Sequence, residues 1–412
     1  MLLCLLWDTQ IQLYVFLCLF FVRFPRVAMR VAMFIFSLLY LSVTAAEPFY
    51  LCSITGNNGS ICDTIGKTVG PNLAIGRVVE LTTYFGALPC IGCTAAHADD
   101  WCNGRIPQLA NLSWHAAKIK QDLDLAVPPD FDGILDVDYE SWWPKWNLTS
   151  DSYRNGSRAL ARSQLPQGAS DGQVELKAVS DYDSAALNFF VYTAQQVQQQ
   201  RPKATVGYYG FPTAPYYHYN LTLLTAMNRA LLPLWRQIDV LMPSLYLPYQ
   251  SGTNFTPLTA LHEYVDHRLG MAAQVNEMLS AEGSKPRKVV PYTWYRYHGS
   301  SEPYALQLLN DNDTALEFSA PELTRAVDGA IIWGSEKTAQ QAKEVEGYFQ
   351  VQRDLFRGGG APQRTNRTTT AARVEATAAR TTAAAVAAGT GLRSPPPVDP
   401  RGPVPPWKSC GL

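Results

Sequence analysis

The sequence carries almost no excess charge of either sign. Its 34 Lys and Arg stand against 35 Asp and Glu, a net charge of −1. That excludes a broadly basic nucleic-acid binder, although a local cluster of cations could still serve an anionic sugar polymer. Internal repeats are lacking, so repeat architectures drop out. Histidine is scarce, with six residues, and the spacings that would hold a metal are missing. His262-Glu263 is followed by His267, five positions on, with Asp266 in the fourth place where a zinc-binding helix needs its second His. Cys90-x-x-Cys93 with Cys102 lacks a fourth Cys or His at suitable spacing. No metal and no cofactor is therefore expected, and His115 and His218 read as surface or packing residues. No apolar run follows the C-terminal tail, so a C-terminal membrane anchor is not expected either.

What is present fits an exported globular enzyme. Apolar residues make up 47% and charged residues 17% of the 412 positions, which suits one large domain with extras. Arg30, an apolar run over 31–43 and Thr44-Ala45-Ala46 have the order of a signal peptide, which makes 1–46 a targeting region. An upstream apolar stretch over 2–22 would make a signal anchor if translation starts at Met1. Asn58, Asn111, Asn147, Asn155, Asn220, Asn254, Asn312 and Asn366 all lie in N-x-[ST] contexts. Together they favour a secreted or endomembrane-lumen protein. Cys52, Cys62, Cys90, Cys93, Cys102 and Cys410 follow the targeting region, and disulfides are their simplest use in such a compartment. From Gly358 the chain turns Thr-, Ala- and Pro-rich. Residues 358–412 cannot bury enough apolar surface to offset their ordering entropy, and a disordered tail is expected.

Between these ends, 47–357, strand and helix patterns alternate. Residues 47–80 read as a cysteine-stapled approach segment. Strands are expected at 78–84, 133–139, 205–209, 240–242, 289–292 and 330–333, with room for a helix between each. Helices are expected over 109–123, with Leu112, Ala116, Ile119 and Leu123 on one face, and over 181–199, with Ala186, Phe190, Ala194 and Val197 on one face. Alternation of this kind implies α/β architecture and a parallel sheet, closed into a barrel given the number of units.

The chemistry concentrates in residues 131–146, FDGILDVDYESWWPKW. Side chains at i and i+2 of a strand share a side, so Asp136, Asp138 and Glu140 align, with Glu140 at the C-terminal end. That end carries the active site in barrels. Two carboxyls so close cannot both ionise freely, and the raised proton affinity suits a general acid for glycosidic oxygen. A solvated acidic strand end or a divalent-cation site is the plainer alternative; the flanking aromatics, which could floor a sugar ring, weigh against it.

Phe131-Asp132-Gly133 with Asp136-x-Asp138-x-Glu140 resembles the chitinase signature, but with one residue too many after Gly133. Asp138-Tyr139-Glu140-Ser141-Trp142 followed by Pro144 is similar to the hyaluronidase family. Five further blocks, in order, resemble the same family: Asn103-Gly104-Arg105-Ile106-Pro107, Gly207-Tyr208-Tyr209-Gly210-Phe211-Pro212, Met242-Pro243-Ser244-Leu245-Tyr246, Val290-Pro291-Tyr292-Thr293-Trp294-Tyr295-Arg296-Tyr297 and Gly329-Ala330-Ile331-Ile332-Trp333-Gly334-Ser335.

The resemblance implies a distorted TIM-like (β/α) barrel that cuts β-linked N-acetylhexosamine bonds in hyaluronan or chondroitin with retention. It acts as a monomer, and the substrate's own acetamido oxygen is the nucleophile. By position, Glu140 would be the acid and base, and Asp138 its partner and the orienter of the acetamido group. Tyr246 and Tyr209 would donate to that group. Trp333 would wall the pocket, with Tyr297, Ser244, Ser335 and Trp143 as further binding candidates. The sequence also departs from the family. Trp143 stands where an Arg is usual, three positions past the acid, and removes a guanidinium suited to a sugar carboxylate. Lys145 or Arg296 could substitute. Thr213-Ala214-Pro215 replaces a loop cysteine, Thr83-Tyr84 replaces Tyr-Asp, and Val345 falls where a barrel-closing cysteine is expected. That would leave Cys52 or Cys62 unattached or paired locally. A chitin-like substrate and a catalytically weak binding barrel therefore stay open beside hyaluronan and chondroitin.

Overall fold

The computed structural model of the chain describes residues 49–56, 61–82, 85–91, 102–212, 221–251, 258–298, 305–323 and 327–357. The targeting region, the tail, and the readings on residues 83–84, 93, 213–215, 218 and 410 lie outside them.

The expected approach segment is instead the start of the barrel. It forms strand β1 (Tyr50–Gly56), helix α1 (Ile61–Val69) and strand β2 (Leu73–Ile75), followed by β3 (Val78–Leu81). Helix α2 (Leu112–Ala126) starts later than the apolar pattern suggested, because Pro107–Leu109 forms a separate 3-10 turn and Asn111 caps the helix by accepting from the Trp114 amide. Its buried positions are His115, Ile119 and Leu123, so the inward face is centred one residue short of Ala116. Strand β4 (Ile134–Val137) is buried at all four positions, as expected of a parallel strand covered on both faces.

Helices α3 (Asp151–Gln164) and α4 (Asp171–Gln200) come next. The second begins ten residues before the expected 181. Ser170 and Gln173 form a capping box there, with Gln173 N donating to Ser170 Oγ at 3.3 Å and Ser170 N to Gln173 Oε1 at 2.8 Å. Its inward face is the expected one: Ala186, Phe190, Ala194 and Val197 are fully buried. Strand β5 (Thr205–Tyr209), helices α5 (Leu221–Ala230) and α6 (Leu232–Gln237), and strand β6 (Val240–Met242) lead to the long α7 (Leu258–Ala281). The strand expected at 289–292 divides into β7 (Lys288–Val289) and β8 (Tyr292–Trp294). Pro291, which has no amide to donate, stands at the break. The chain ends in α8 (Asp311–Leu323), β9 (Ala330–Glu336), α9 (Ala339–Val351) and α10 (Arg353–Arg357).

The strands form two all-parallel arcs, β3-β4-β5-β6-β7 and β2-β1-β9-β8. One seam is sewn by Tyr292 N donating to Pro243 O at 3.0 Å and Leu245 N to Tyr292 O at 2.9 Å. At the other, Ser53 of β1 donates to Glu80 of β3. The result is a distorted TIM-like (β/α) barrel.

Cys52 and Cys62 form a disulfide with their Cα atoms 5.9 Å apart, the local pairing. Val345, fully buried, joins the same core cluster. Cys90 is also disulfide-bonded, whereas Cys102 is a free thiol, where a disulfide was the simplest expectation. Among the described residues no helix is long and apolar enough to cross a membrane.

Candidate active site

The acid motif follows strand alternation past the end of β4. Asp138 N donates to Leu81 O at 2.9 Å, which prolongs the ladder by one residue. Tyr139 then turns outward into the core, 3% exposed, its hydroxyl donating to Phe85 O at 2.9 Å. Trp142 is likewise core, its indole donating to Pro89 O at 2.7 Å. These aromatics therefore floor no sugar, which corrects the sequence-based expectation. Asp138 and Glu140 keep partial exposure on the opposite side.

Around them the strand ends deliver a closed circuit of contacts. Asp136, 1% exposed, accepts from the Tyr292 hydroxyl at 2.5 Å. Tyr292 meets Tyr209 edge-on, centroids 5.0 Å apart. Tyr209 donates to Ser244 Oγ at 3.3 Å and lies 5.9 Å from Tyr246. Tyr246 stacks on Trp333 at 5.7 Å and 30°. The Trp333 indole donates to Glu80 Oε2 at 3.3 Å, and Glu80 is in register with Asp136 on the neighbouring strand. Thus Asp138, Glu140, Tyr209, Ser244, Tyr246 and Trp333 come together.

Tyr297 does not join them. It is 1% exposed and donates to Asp313 at 2.5 Å, so it is a core residue and not a lining one. Ser335 is exposed at the end of β9, in register with Thr55. Trp143 is half-buried against Phe211, centroids 4.8 Å apart, with its carbonyl accepting from Tyr182 at 2.8 Å. Neither candidate cation replaces the missing Arg. Lys145 is paired with Asp183, and Arg296 is forked onto Glu336, two bonds of 3.1 Å each.

Burial dominates the electrostatics. It pushes Glu80 above the usual carboxylate range, against the donations from Ser53 and Trp333. Asp136 is raised well above that range by burial, opposed by Tyr292 and assisted by the charge of Glu80. Asp138 is raised well above it by burial first, then by the charges of Glu140, Asp136 and Glu80. Although Asp138 has some exposure, its Oδ1 is sealed from solvent, so the desolvation is real. Burial also keeps Tyr246 and Tyr292 protonated and able to donate. Such a cluster can hold a proton above the ordinary carboxylate range, deliver it to an oxygen at the mouth and present hydroxyls to a developing charge. Among the described residues no group of three His, Cys, Asp or Glu is arranged to hold a metal ion.

The family model described as hyaluronidase matches residues 80–354, two thirds of the chain. The chain belongs to the hyaluronidase family. It is 32% identical to hyaluronidase-1 of Homo sapiens over 259 residues, which are 60% of this chain and 57% of that protein. With hyaluronidase-1 of Bos taurus it shares 30% over 306 residues, 70% and 64% of the two chains. This hyaluronidase-family chain thus spans less than two thirds of the length of these curated relatives. The crystal structure of bee venom hyaluronidase superposes with a TM-score of 0.60 at 22% identity, covering 74% of this chain and 99% of that one. A second bee venom structure, in complex with a hyaluronic acid tetramer, gives a TM-score of 0.59 at 22% identity, covering 72% and 95%. At these identities the likeness speaks for the fold alone.

Glu80, Asp136, Tyr292 and Trp294, whose ring lies 5.4 Å from that of Tyr246, were missed as site residues. Asp136 shares its alternation with Asp138, and Tyr292 and Trp294 lie in a quoted family block. For Glu80 the available signal was a lone acid within the apolar strand Val-Val-Glu-Leu, since an acid packed among apolar residues needs a partner.

Proposed function

We propose that the chain is a secreted endo-β-N-acetylhexosaminidase that hydrolyses glycosaminoglycans, hyaluronan or chondroitin, by a retaining, substrate-assisted mechanism. The carrying observation is the Asp138–Glu140 pair past the end of β4, joined through Asp136 and Tyr292 on one side and Glu80 on the other to the Tyr209–Tyr246–Trp333 wall. Glu140 gives its proton to the glycosidic oxygen as the C1–O bond breaks, while the substrate's acetamido oxygen bonds C1 from the other face. The Glu140 carboxylate then takes a proton from water, whose oxygen displaces the acetamido oxygen at C1 and restores the acid. Substrate assistance of this kind needs no second enzymic nucleophile. Asp138, its proton affinity raised by burial and by its carboxyl neighbours, orients the acetamido group; Tyr246 and Tyr209 donate to its developing charge; Trp333 walls its methyl. The chain works as a monomer without cofactor. The relatives bear the name hyaluronidase, and one bee venom structure holds a hyaluronic acid tetramer. Export is supported by Asn111, Asn147, Asn155 and Asn312, sequon residues that are all exposed.

A second reading, an uncharged chitin-like substrate, is favoured by Trp143 and by the pairing of Lys145 and Arg296 with carboxylates. Incubating the purified chain with hyaluronan, chondroitin and N-acetylglucosamine oligomers, and sizing the products, separates the two. Binding without turnover of any of them would overturn the enzyme reading and leave a binding barrel.

A further inference from the structure

The seam between the two arcs holds a carboxyl that the proposed reaction does not use. Glu80 is the one charged residue of β3, and it lies in register with Asp136. Both of its oxygens are engaged, Oε1 by the Ser53 hydroxyl and Oε2 by the Trp333 indole at 3.3 Å. Both donors are neutral. A half-buried carboxyl held between neutral donors costs stability relative to an apolar side chain of the same size, so packing alone does not account for it. The Trp333 ring also meets two other rings, Tyr246 stacked at 5.7 Å and Trp294 edge-on at 5.0 Å. Ring contacts tolerate sliding and rotation over a broad range. A charge-assisted bond to the indole nitrogen is directional and removes that freedom.

We propose that Glu80 is a positioning residue that locks the Trp333 indole at the angle at which it walls the acetamido pocket, acting through Trp333 without touching the reacting atoms. The proposal rests on the reading of Trp333 as pocket wall. In sequence terms, one acid on the first arc holds one aromatic on the second. The titratable groups facing Glu80 are Asp136 and Asp138 from β4 and its extension, Tyr292 from β8 and Tyr246 beyond β6. The two tyrosines are held protonated and do not titrate below their ordinary range, so a signal from Glu80 has to be separated from those of the two aspartates alone.

The test uses the full chain and two variants. Glu80→Gln keeps an acceptor for the indole in its amide oxygen; Glu80→Leu removes it. With the polymer that the wild-type chain cuts fastest, Glu80→Leu is expected to lose about tenfold in kcat/KM and Glu80→Gln less than about threefold, the scale of one buried donor left unmet. Tryptophan emission followed between pH 3 and 8 supplies the second readout. The wild-type chain should show a transition that is absent from both Glu80→Gln and Trp333→Phe and present in Asp136→Asn. Glu80→Leu with wild-type kcat/KM, or a Trp333 emission transition that survives Glu80→Gln, would overturn the proposal. The emission arm needs no turnover, so a chain that cuts none of the polymers fails as an enzyme without deciding the role of Glu80.

Discussion

Tyr292 donates its hydroxyl to Oδ2 of Asp136 at 2.5 Å, joining one arc of the barrel to the other across 156 positions of sequence. The bond lies beneath the acid pair and in register with Glu80, so it ties the seam, the wall and the acids into one polar layer. Asp136 is buried there and its proton affinity is raised. The site therefore rests on a carboxyl that prefers to be neutral.

That preference has a sign that can be measured. Folded Asp136 keeps a proton that the unfolded chain releases above about pH 3.8. Its favourable contribution is complete below that value and is lost as pH rises through the folded one. Asp136→Asn keeps the shape and an acceptor for Tyr292 but cannot titrate. The difference in Tm between the wild-type chain and Asp136→Asn should therefore move against the wild type as pH goes from 4 to 8. Parallel Tm–pH curves would show that Asp136 is ionised in the fold.

Glu140→Gln should lower kcat by about 10²–10⁴-fold, the usual worth of a positioned acid, while binding of the polymer stays within about threefold. Burial and the charges of Glu140, Asp136 and Glu80 raise Asp138, so the pair keeps its proton above the ordinary carboxylate range. Activity is then expected to fall on the alkaline side, as that proton is lost, with an apparent pKa above 3.8. A kcat/KM profile that falls only on the acid side would remove the pair from the acid role.

Much of this layer was legible, and the reasons differ residue by residue. Asp138 and Glu140 were readable because a two-residue period survives even where the strand ends at Val137. The same period turns Tyr139 into the core, and the turn past Glu140 brings Trp142 there as well, its indole on Pro89 O; composition could not distinguish either from a sugar floor. Strand β1 escaped notice because its partner β9 lies some 280 residues away and its own Cys and Gly suggested a loop. Glu80 needed register: its meaning comes from standing opposite Asp136 and against Trp333, and neither neighbour is near in sequence. Tyr297 had the right company in sequence but faces Asp313 on α8. His115 was readable only as packing, yet it carries a network.

His115 accepts from the Ala87 amide on Nδ1 at 3.0 Å and bonds Thr193 Oγ1 through Nε2 at 2.8 Å. Gly86, at φ +65°, leaves room for it: a Cβ there would come within 2.6 Å of the imidazole. Burial lowers His115 from 6.5 to about 3. The neutral ring therefore stabilises the fold fully above pH 6.5, and that contribution is lost as pH falls toward 3. His115→Ala should cost about 2–4 kcal/mol near pH 7 through the orphaned Ala87 amide, a lost bond to Thr193 and a cavity. The cost should shrink as pH drops through 6 to 4, as chemical denaturation at each pH would report. A pH-independent cost would place the charged form in the fold.

Trp143 offers the sharpest test of substrate. Its carbonyl is held by Tyr182, and its ring rests on Phe211 and closes over Gly210, where an added Cβ would lie 3.3 Å from the indole. The backbone is thus fixed independently of the side chain, and Trp143→Arg exchanges an apolar face for a guanidinium three residues past Glu140. Lys145 and Arg296 cannot already supply that charge, being held by Asp183 and Glu336. If the site takes a polymer with a carboxylate on every second sugar, the variant should raise kcat/KM on hyaluronan by about tenfold, the scale of one charge-assisted pair. On uncharged N-acetylglucosamine oligomers it should lower activity through the lost ring. Salt separates the two contributions, since the gain should fade toward 1 M NaCl as the charges are screened, whereas the loss should not. A variant that gains on neither substrate would place the sugar carboxylate away from this position.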